Sequence, residues 1–139
     1  MSIRLIISML ILALFNLPVF ADSHAAPDTL LYIISPTDGE TVTSPVTVRF
    51  GLKGLGVAPA GVNKEKTGHH HLLIDVKKLP AMDKPIPSND NHKHFGGGQT
   101  EAILDLPPGE HTLQLLLGDM NHIPHKPPVL SKKISVRVK

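Results

Sequence analysis

The sequence predicts an all-β chain, an immunoglobulin-like antiparallel β-sandwich of about six to seven strands. Three observations point there. Short apolar runs alternate with polar residues at period two, the signature of half-buried strands. Turn chemistry drawn from 13 prolines and 11 glycines separates these runs. No helical period and no internal repeat runs through the chain.

The chain opens Met1-Ser2-Ile3-Arg4, continues apolar over residues 5–20 and reaches Val19-Phe20-Ala21. A basic start, an apolar stretch and small residues at its end describe a secretory signal peptide over residues 1–21, cleaved after Ala21, which leaves no membrane anchor and a periplasmic or secreted product. Residues 22–29 are polar and Ala-rich and are expected to form a flexible lead-in. Residues 30–139 then suit one β-sandwich domain with a small core.

Residues 30–35 form the first expected strand, and Pro36-Thr37-Asp38-Gly39 turns the chain. In residues 45–52, Val46, Val48, Phe50 and Leu52 fall on one face, opposite Thr47, Arg49 and Gly51. A long connection with four glycines leads into Gly68-His69-His70-His71-Leu72-Leu73-Ile74-Asp75-Val76. Alternation puts His69 and His71 on one face with Leu73 and Asp75, and His70 on the other with Leu72, Ile74 and Val76. The second face has the composition of a core. A second long connection, residues 77–98, carries Pro80, Pro85, Pro87 and then His92-Lys93-His94-Phe95 before three glycines. Connections this long are uncommon in a compact domain unless they do something.

Residues 99–106 and 111–118 flank Pro107-Pro108-Gly109-Glu110 and read as a β-hairpin. In its second arm His111 is in phase with Leu113, Leu115 and Leu117, as a strand-edge residue and not a ligand. A Pro- and His-bearing loop follows over residues 119–128, and residues 129–138 close the domain with Ile134, Val136 and Val138 in phase.

Composition removes several function classes. There is no cysteine, so neither disulfides nor thiolate metal sites are open to the chain. The 14 Lys and Arg against 12 Asp and Glu are dispersed, unlike a phosphate-tracking surface. After residue 21 the only aromatics are Tyr32, Phe50 and Phe95, without tryptophan, too few for base-stacking platforms. No nucleic-acid partner is expected.

Histidine is the residue in excess, with nine in the chain. On a strand, His69 and His71 stand about 6.5–7 Å apart at their Cβ atoms, from which both can reach one metal ion. His92 and His94 repeat the pattern, and His122 and His125 lie beside Asp119. If residues 99–118 fold back on themselves, the loops entering at Gln99 and leaving at Gly118 share one end of the sandwich. The 77–98 connection is long enough to bring the tri-histidine strand to that end too. A main site of His69, His71, His92 and His94 is therefore expected, with His122 and His125 at its rim and His70 and Asp119 as further candidate ligands. Imidazole suits copper and zinc, and without thiolates the affinity order among divalent ions puts copper(II) first. Met82 and Met120 could add thioether sulfur to a copper(I) ion. Cleavage after Ala21 would also expose Asp22-Ser23-His24, whose amine, two amides and imidazole offer four nitrogens in a plane for a separate copper(II) site.

In several blocks the chain resembles a family of small exported bacterial domains catalogued as of unknown function. The blocks are Gly56-Val57-Ala58-Pro59-Ala60-Gly61, Thr67-Gly68-His69-His70-His71-Leu72-Leu73-Ile74-Asp75, His92-Lys93-His94-Phe95-Gly96-Gly97-Gly98-Gln99-Thr100-Glu101, Leu106-Pro107-Pro108-Gly109, and Leu117-Gly118-Asp119 through His122, His125 and Pro127-Pro128-Val129. The resemblance spans residues 33–138. It implies that His69 to His71, His92, His94, His122 and His125 belong to a family pattern, while His24 and His111 are particular to this chain. It brings no established activity.

These residues point first to a periplasmic histidine-rich metal-binding protein, a copper carrier or buffer with zinc as the alternative ion, exchanging its cargo with a periplasmic metal-handling protein. A metal-dependent enzyme, superoxide dismutase-like or a zinc hydrolase, is the competing class; only Asp75 and Asp119 lie close enough in sequence to serve it as carboxylates. A metal-free interaction module built on the Gly-rich loops is the third.

Overall fold

The alternating runs assemble into two stacked sheets. The computed structural model describes residues 24–139, so the signal-peptide expectation for residues 1–21 lies outside the described residues. Among those described, nine strands and no helix occur: β1 (Leu30–Ser35), β2 (Thr41–Val42), β3 (Val46–Lys53), β4 (Gly56–Val57), β5 (Thr67–Ile74), β6 (His92–His94), β7 (Glu101–Leu104), β8 (Gly109–Gly118) and β9 (Ile134–Val138). The six longer ones are the six read from the alternation. The short β2, β4 and β6 fall in stretches that read as turn or connection.

One sheet is three-stranded, in the order β1-β3-β7. The other runs β2-β9-β8-β5-β4, with β6 also paired to β5. All the long strands pair antiparallel, as expected of a sandwich; the two-residue pairings of β2 with β9 and β4 with β5 are parallel.

The expected hairpin over residues 99–118 is not formed. β7 pairs with β3, with Val46 opposite Leu104, whereas β8 pairs with β5 and β9. Residues 105–108 thus carry the chain from one sheet to the other. The physical reason lies in two side-chain pairs. Leu104 and Leu106 are both buried in the core between the sheets, and Pro107 and Pro108 have no N–H to offer a two-strand ladder.

Between the sheets, Val46, Val48 and Phe50 of β3 face Leu72 and Ile74 of β5, Leu113, Leu115 and Leu117 of β8, and Val136 and Val138 of β9. Burying each such side chain is worth about 1.5–3 kcal/mol. A second, smaller cluster covers the outer face of the larger sheet: Leu73, Val76, Ile86 and Leu116, with Met82 and Leu130 packed against it. The 77–98 connection is therefore a cover, not slack chain. With both faces covered, β5 is buried from Gly68 to Ile74 without alternation.

The face assignment of β5 holds as far as Ile74 and then breaks. Asp75 takes a left-handed backbone at φ 57°, which ends the period-two alternation. Val76 consequently joins Leu73 in the outer cluster instead of Leu72 and Ile74 in the main core.

Candidate metal centre

The site begins with a register. β5 and β8 pair with His69 opposite Gly118 and His71 opposite Leu116. On the other side of β5, β6 places His94 opposite His71 and His92 opposite Leu73. Side chains directly opposite one another share a face, so His69, His71 and His94 all project from the outer face of the larger sheet. Immediately after Gly118 the chain leaves β8 in a tight loop that returns His122 over the same spot.

Two glycines make the room. A Cβ on Gly118 would stand 2.9 Å from Nε2 of His71, and one on Gly96 would stand 2.7 Å from Nε2 of His94. Both approaches are closer than real Cβ contacts.

The loop that carries His122 is organised by Asp119. Its Oδ1 accepts hydrogen bonds from the N–H groups of Asn121 at 2.8 Å and Ile123 at 3.0 Å. Its backbone carbonyl accepts from His122 N at 2.9 Å, and the His122 carbonyl accepts from Ile86 N at 2.9 Å. Within this frame His122 has φ 67°, a conformation that histidine tolerates better than most residues.

Four imidazoles meet there. Ring centroids lie 4.9 Å apart for His69–His71, 5.0 Å for His69–His94, 5.0 Å for His71–His94, 5.0 Å for His69–His122, 4.7 Å for His94–His122 and 6.1 Å for His71–His122. One ring nitrogen from each of His69, His71 and His94 lies within 4.8 Å of the other two. The Nε2 atoms of His69 and His71 are 3.1 Å apart, close to the roughly 3.3 Å that tetrahedral bonds of about 2.0 Å would impose. His94 Nε2 and the Nδ1 atoms of His69 and His71 are buried without a hydrogen-bond partner, a costly state that calls for an explanation.

Electrostatics favours the neutral, ligating form. Burial, followed by the charges that His122 and His94 would carry, lowers His69 from 6.5 to about 4. Burial, then the charges on His69, His94 and His122, lowers His71 to about 3. His94 is also lowered, by burial first and by His122 second. A neutral imidazole has a free lone pair, so no proton must leave before a metal binds at neutral pH.

The other expected residues sit elsewhere. His70 faces the main core, 5.1 Å from the Phe50 ring, with Nδ1 donating to the Gln99 carbonyl at 3.2 Å. His92 lies on the outer face, but its Nδ1 is 3.0 Å from Oδ1 of Asn89. His125 is fully buried and its Nε2 donates to the Thr67 carbonyl at 3.0 Å. His24 is exposed and forms a backbone bridge with Lys126; Asp22 and Ser23 lie outside the described residues. His111, expected at a strand edge, is the third residue of β8, opposite Val136 of β9, and bonds Asp75 and Pro107. Gly96 and Gly118, which make space for the cluster, are not among the residues expected at the site. A glycine directly opposite a histidine in strand register is the signal that would have found the second.

A family model matches residues 48–139, a span that includes all four clustered histidines and both glycines. The chain belongs to the family described as Domain of unknown function (DUF4399). No curated protein and no solved structure matches the chain. For this family member the clustered histidines, which could hold a metal ion, are the starting point for function.

Proposed function

We propose that the protein binds a transition-metal ion through His69, His71 and His94 and serves as its carrier or buffer, with copper as the first candidate and zinc as the alternative. One observation carries this: three ring nitrogens within 4.8 Å of each other, in surroundings that keep the imidazoles neutral. Nitrogen-only sites without thiolate suit both ions, and copper leads in affinity. A buffer must also release its ion, and a site on a sheet face closed by a loop offers a shorter exit than one between the sheets. The role fits the exported location expected from residues 1–21, where a second metal-handling protein would be the exchange partner.

The test is a metal titration of untagged protein and of the double variant His71→Ala/His94→Ala. Affinity for copper or zinc should fall at least tenfold in the variant, with the fold retained because both side chains lie outside the main core. Unchanged affinity in the folded double variant overturns the proposal. The separate copper(II) site at Asp22-Ser23-His24 depends on cleavage after Ala21. Extending the exported chain by one residue before Asp22 should abolish it.

A further inference from the structure

We propose that His122 is the fourth ligand, closing the three strand histidines into a tetrahedral four-nitrogen site that takes zinc(II) or copper(I) in preference to planar copper(II). The inference rests on the metal-binding role above and specifies the class of ion.

Its basis is the set of six ring separations. Four rings at the corners of a square would give two crossing diagonals, each longer than the edges by the square root of two. Here only one separation is long, 6.1 Å for His71–His122. The pair that would form the crossing diagonal, His69–His94, is 5.0 Å apart, no longer than the edges. The four ring centroids therefore mark a somewhat flattened tetrahedron; the ring nitrogens of His69, His71 and His94 lie within 4.8 Å of one another, and a turn of the His122 ring about its side-chain bonds would bring its nitrogen in as the fourth. Tetrahedral four-coordination is the habit of zinc(II), whereas planar nitrogen sets suit copper(II) and nickel(II). Copper(I), with the same filled d shell as zinc(II), shares its indifference to planar fields.

His122 reaches this position because its backbone is set in advance. Three contacts on the loop fix it: His122 N to the Asp119 carbonyl, Ile86 N to the His122 carbonyl, and Ile123 N to the Asp119 carboxylate. Asp119 is thus assigned as a positioning residue that organises the loop, and not as a metal ligand. The Ile86 contact ties the 77–98 cover to the same loop, so both covers of the site are joined at the residue that completes it. His92, although it shares β6 with His94, is turned to Asn89 and leaves the fourth place to His122.

Cobalt(II) is the probe, since its visible absorption is strong in tetrahedral sites and weak in octahedral ones. The wild-type protein loaded with cobalt(II) should show the strong band and should prefer zinc(II) to nickel(II). His122→Asn, chosen because asparagine keeps the left-handed backbone, should still bind cobalt(II) but lose most of the band and at least tenfold in affinity. Asp119→Ala should reproduce that loss, and Asp119→Asn, which keeps the Oδ1 acceptor, should restore the band. Tight cobalt(II) binding with a weak band in the wild type, or an unchanged band in a folded His122→Asn protein, overturns the four-ligand site while leaving a three-histidine metal binder standing. Loss of the band in Asp119→Asn overturns the positioning role. A failure to take up any metal would sink the underlying function together with this inference.

Discussion

Burial keeps His69 and His71 uncharged far into the acid range, and this has a consequence for the metal-free protein. Their folded values, about 4 and about 3, lie below the 6.5 of a free imidazole. Below pH 6.5 the unfolded chain therefore takes up protons that the folded chain refuses, and stability falls until the folded values are reached. Between pH 6.5 and 5 ordinary carboxylates stay ionised, so a drop in the urea midpoint there reports the histidines. The drop should shrink in a His69→Gln/His71→Gln protein, and an equal drop in both proteins would refute this account. His111 has the opposite sign. Its Nδ1 lies 2.7 Å from the Asp75 carboxylate and its Nε2 2.8 Å from the Pro107 carbonyl. Both partners only accept, so satisfying both takes an imidazolium. The Asp75 hydrogen bond, with the Pro107 carbonyl and the nearby Glu110 charge, raises its pKa against the opposing effect of burial. That stability is fully present below pH 6.5 and is lost as pH rises through the folded value. A proton NMR titration should place His111 above 6.5; a midpoint at or below it would remove the imidazolium from the description.

At the scale of elements, the site is a matter of register and of what glycine leaves open. Gly118 faces His69 across the β5–β8 pair, and an added methyl would press on Nε2 of His71 at 2.9 Å and on Cα of His122 at 3.4 Å. Gly118→Ala should therefore lower metal affinity at least tenfold while costing about 1–3 kcal/mol of stability, the usual penalty for overpacking. Calorimetric titration with zinc checks this, and an unaltered affinity would mean that the rings have slack the geometry does not suggest. The same logic separates what could be read in the sequence from what could not. Period-two alternation was enough to find the six long strands and to place His69 and His71 on one face of β5 with Leu73, because alternation is local. It failed at Asp75, where a left-handed backbone breaks the period. It also failed for residues 99–118, since adjacency in sequence does not say which sheet a strand joins; that is settled by Leu104 at the end of β7 and Leu106 in the crossing segment both entering the core. The site was legible in part for the same reason. The His69 and His71 pair follows from alternation, whereas His94 joins it through the pairing of β6 with β5 and not through the expected hairpin, and the position of His122 depends on Asp119 and on the distant N–H of Ile86, contacts that no local pattern encodes.

Across the whole molecule, the three histidines of β5 divide between two environments separated by one layer of sheet. His70 points inward and is fully buried against Phe50, while its neighbours point outward to the imidazole cluster. Core stability and metal binding should then be separable by changing adjacent residues of one strand. An ion held by His69, His71, His94 and His122 would bridge β5, β6 and the loop after β8, segments far apart in the chain but all on the outer face. It binds the folded state alone, since the unfolded chain does not hold these rings together, and at a free concentration of 100 times Kd it should add about 2.7 kcal/mol of stability. A chelator should reverse the gain. His70→Ala removes a large core side chain and should cost about 2–4 kcal/mol, yet the increment on adding zinc should persist, because the outer rings are untouched. His71→Ala should show the converse, a smaller loss of basal stability and little increment from zinc. Thermal or urea unfolding of the three proteins with and without zinc checks the division. If His70→Ala abolished the zinc increment in a protein that still folds, the two faces of β5 would be coupled and the separation of core from site would be wrong.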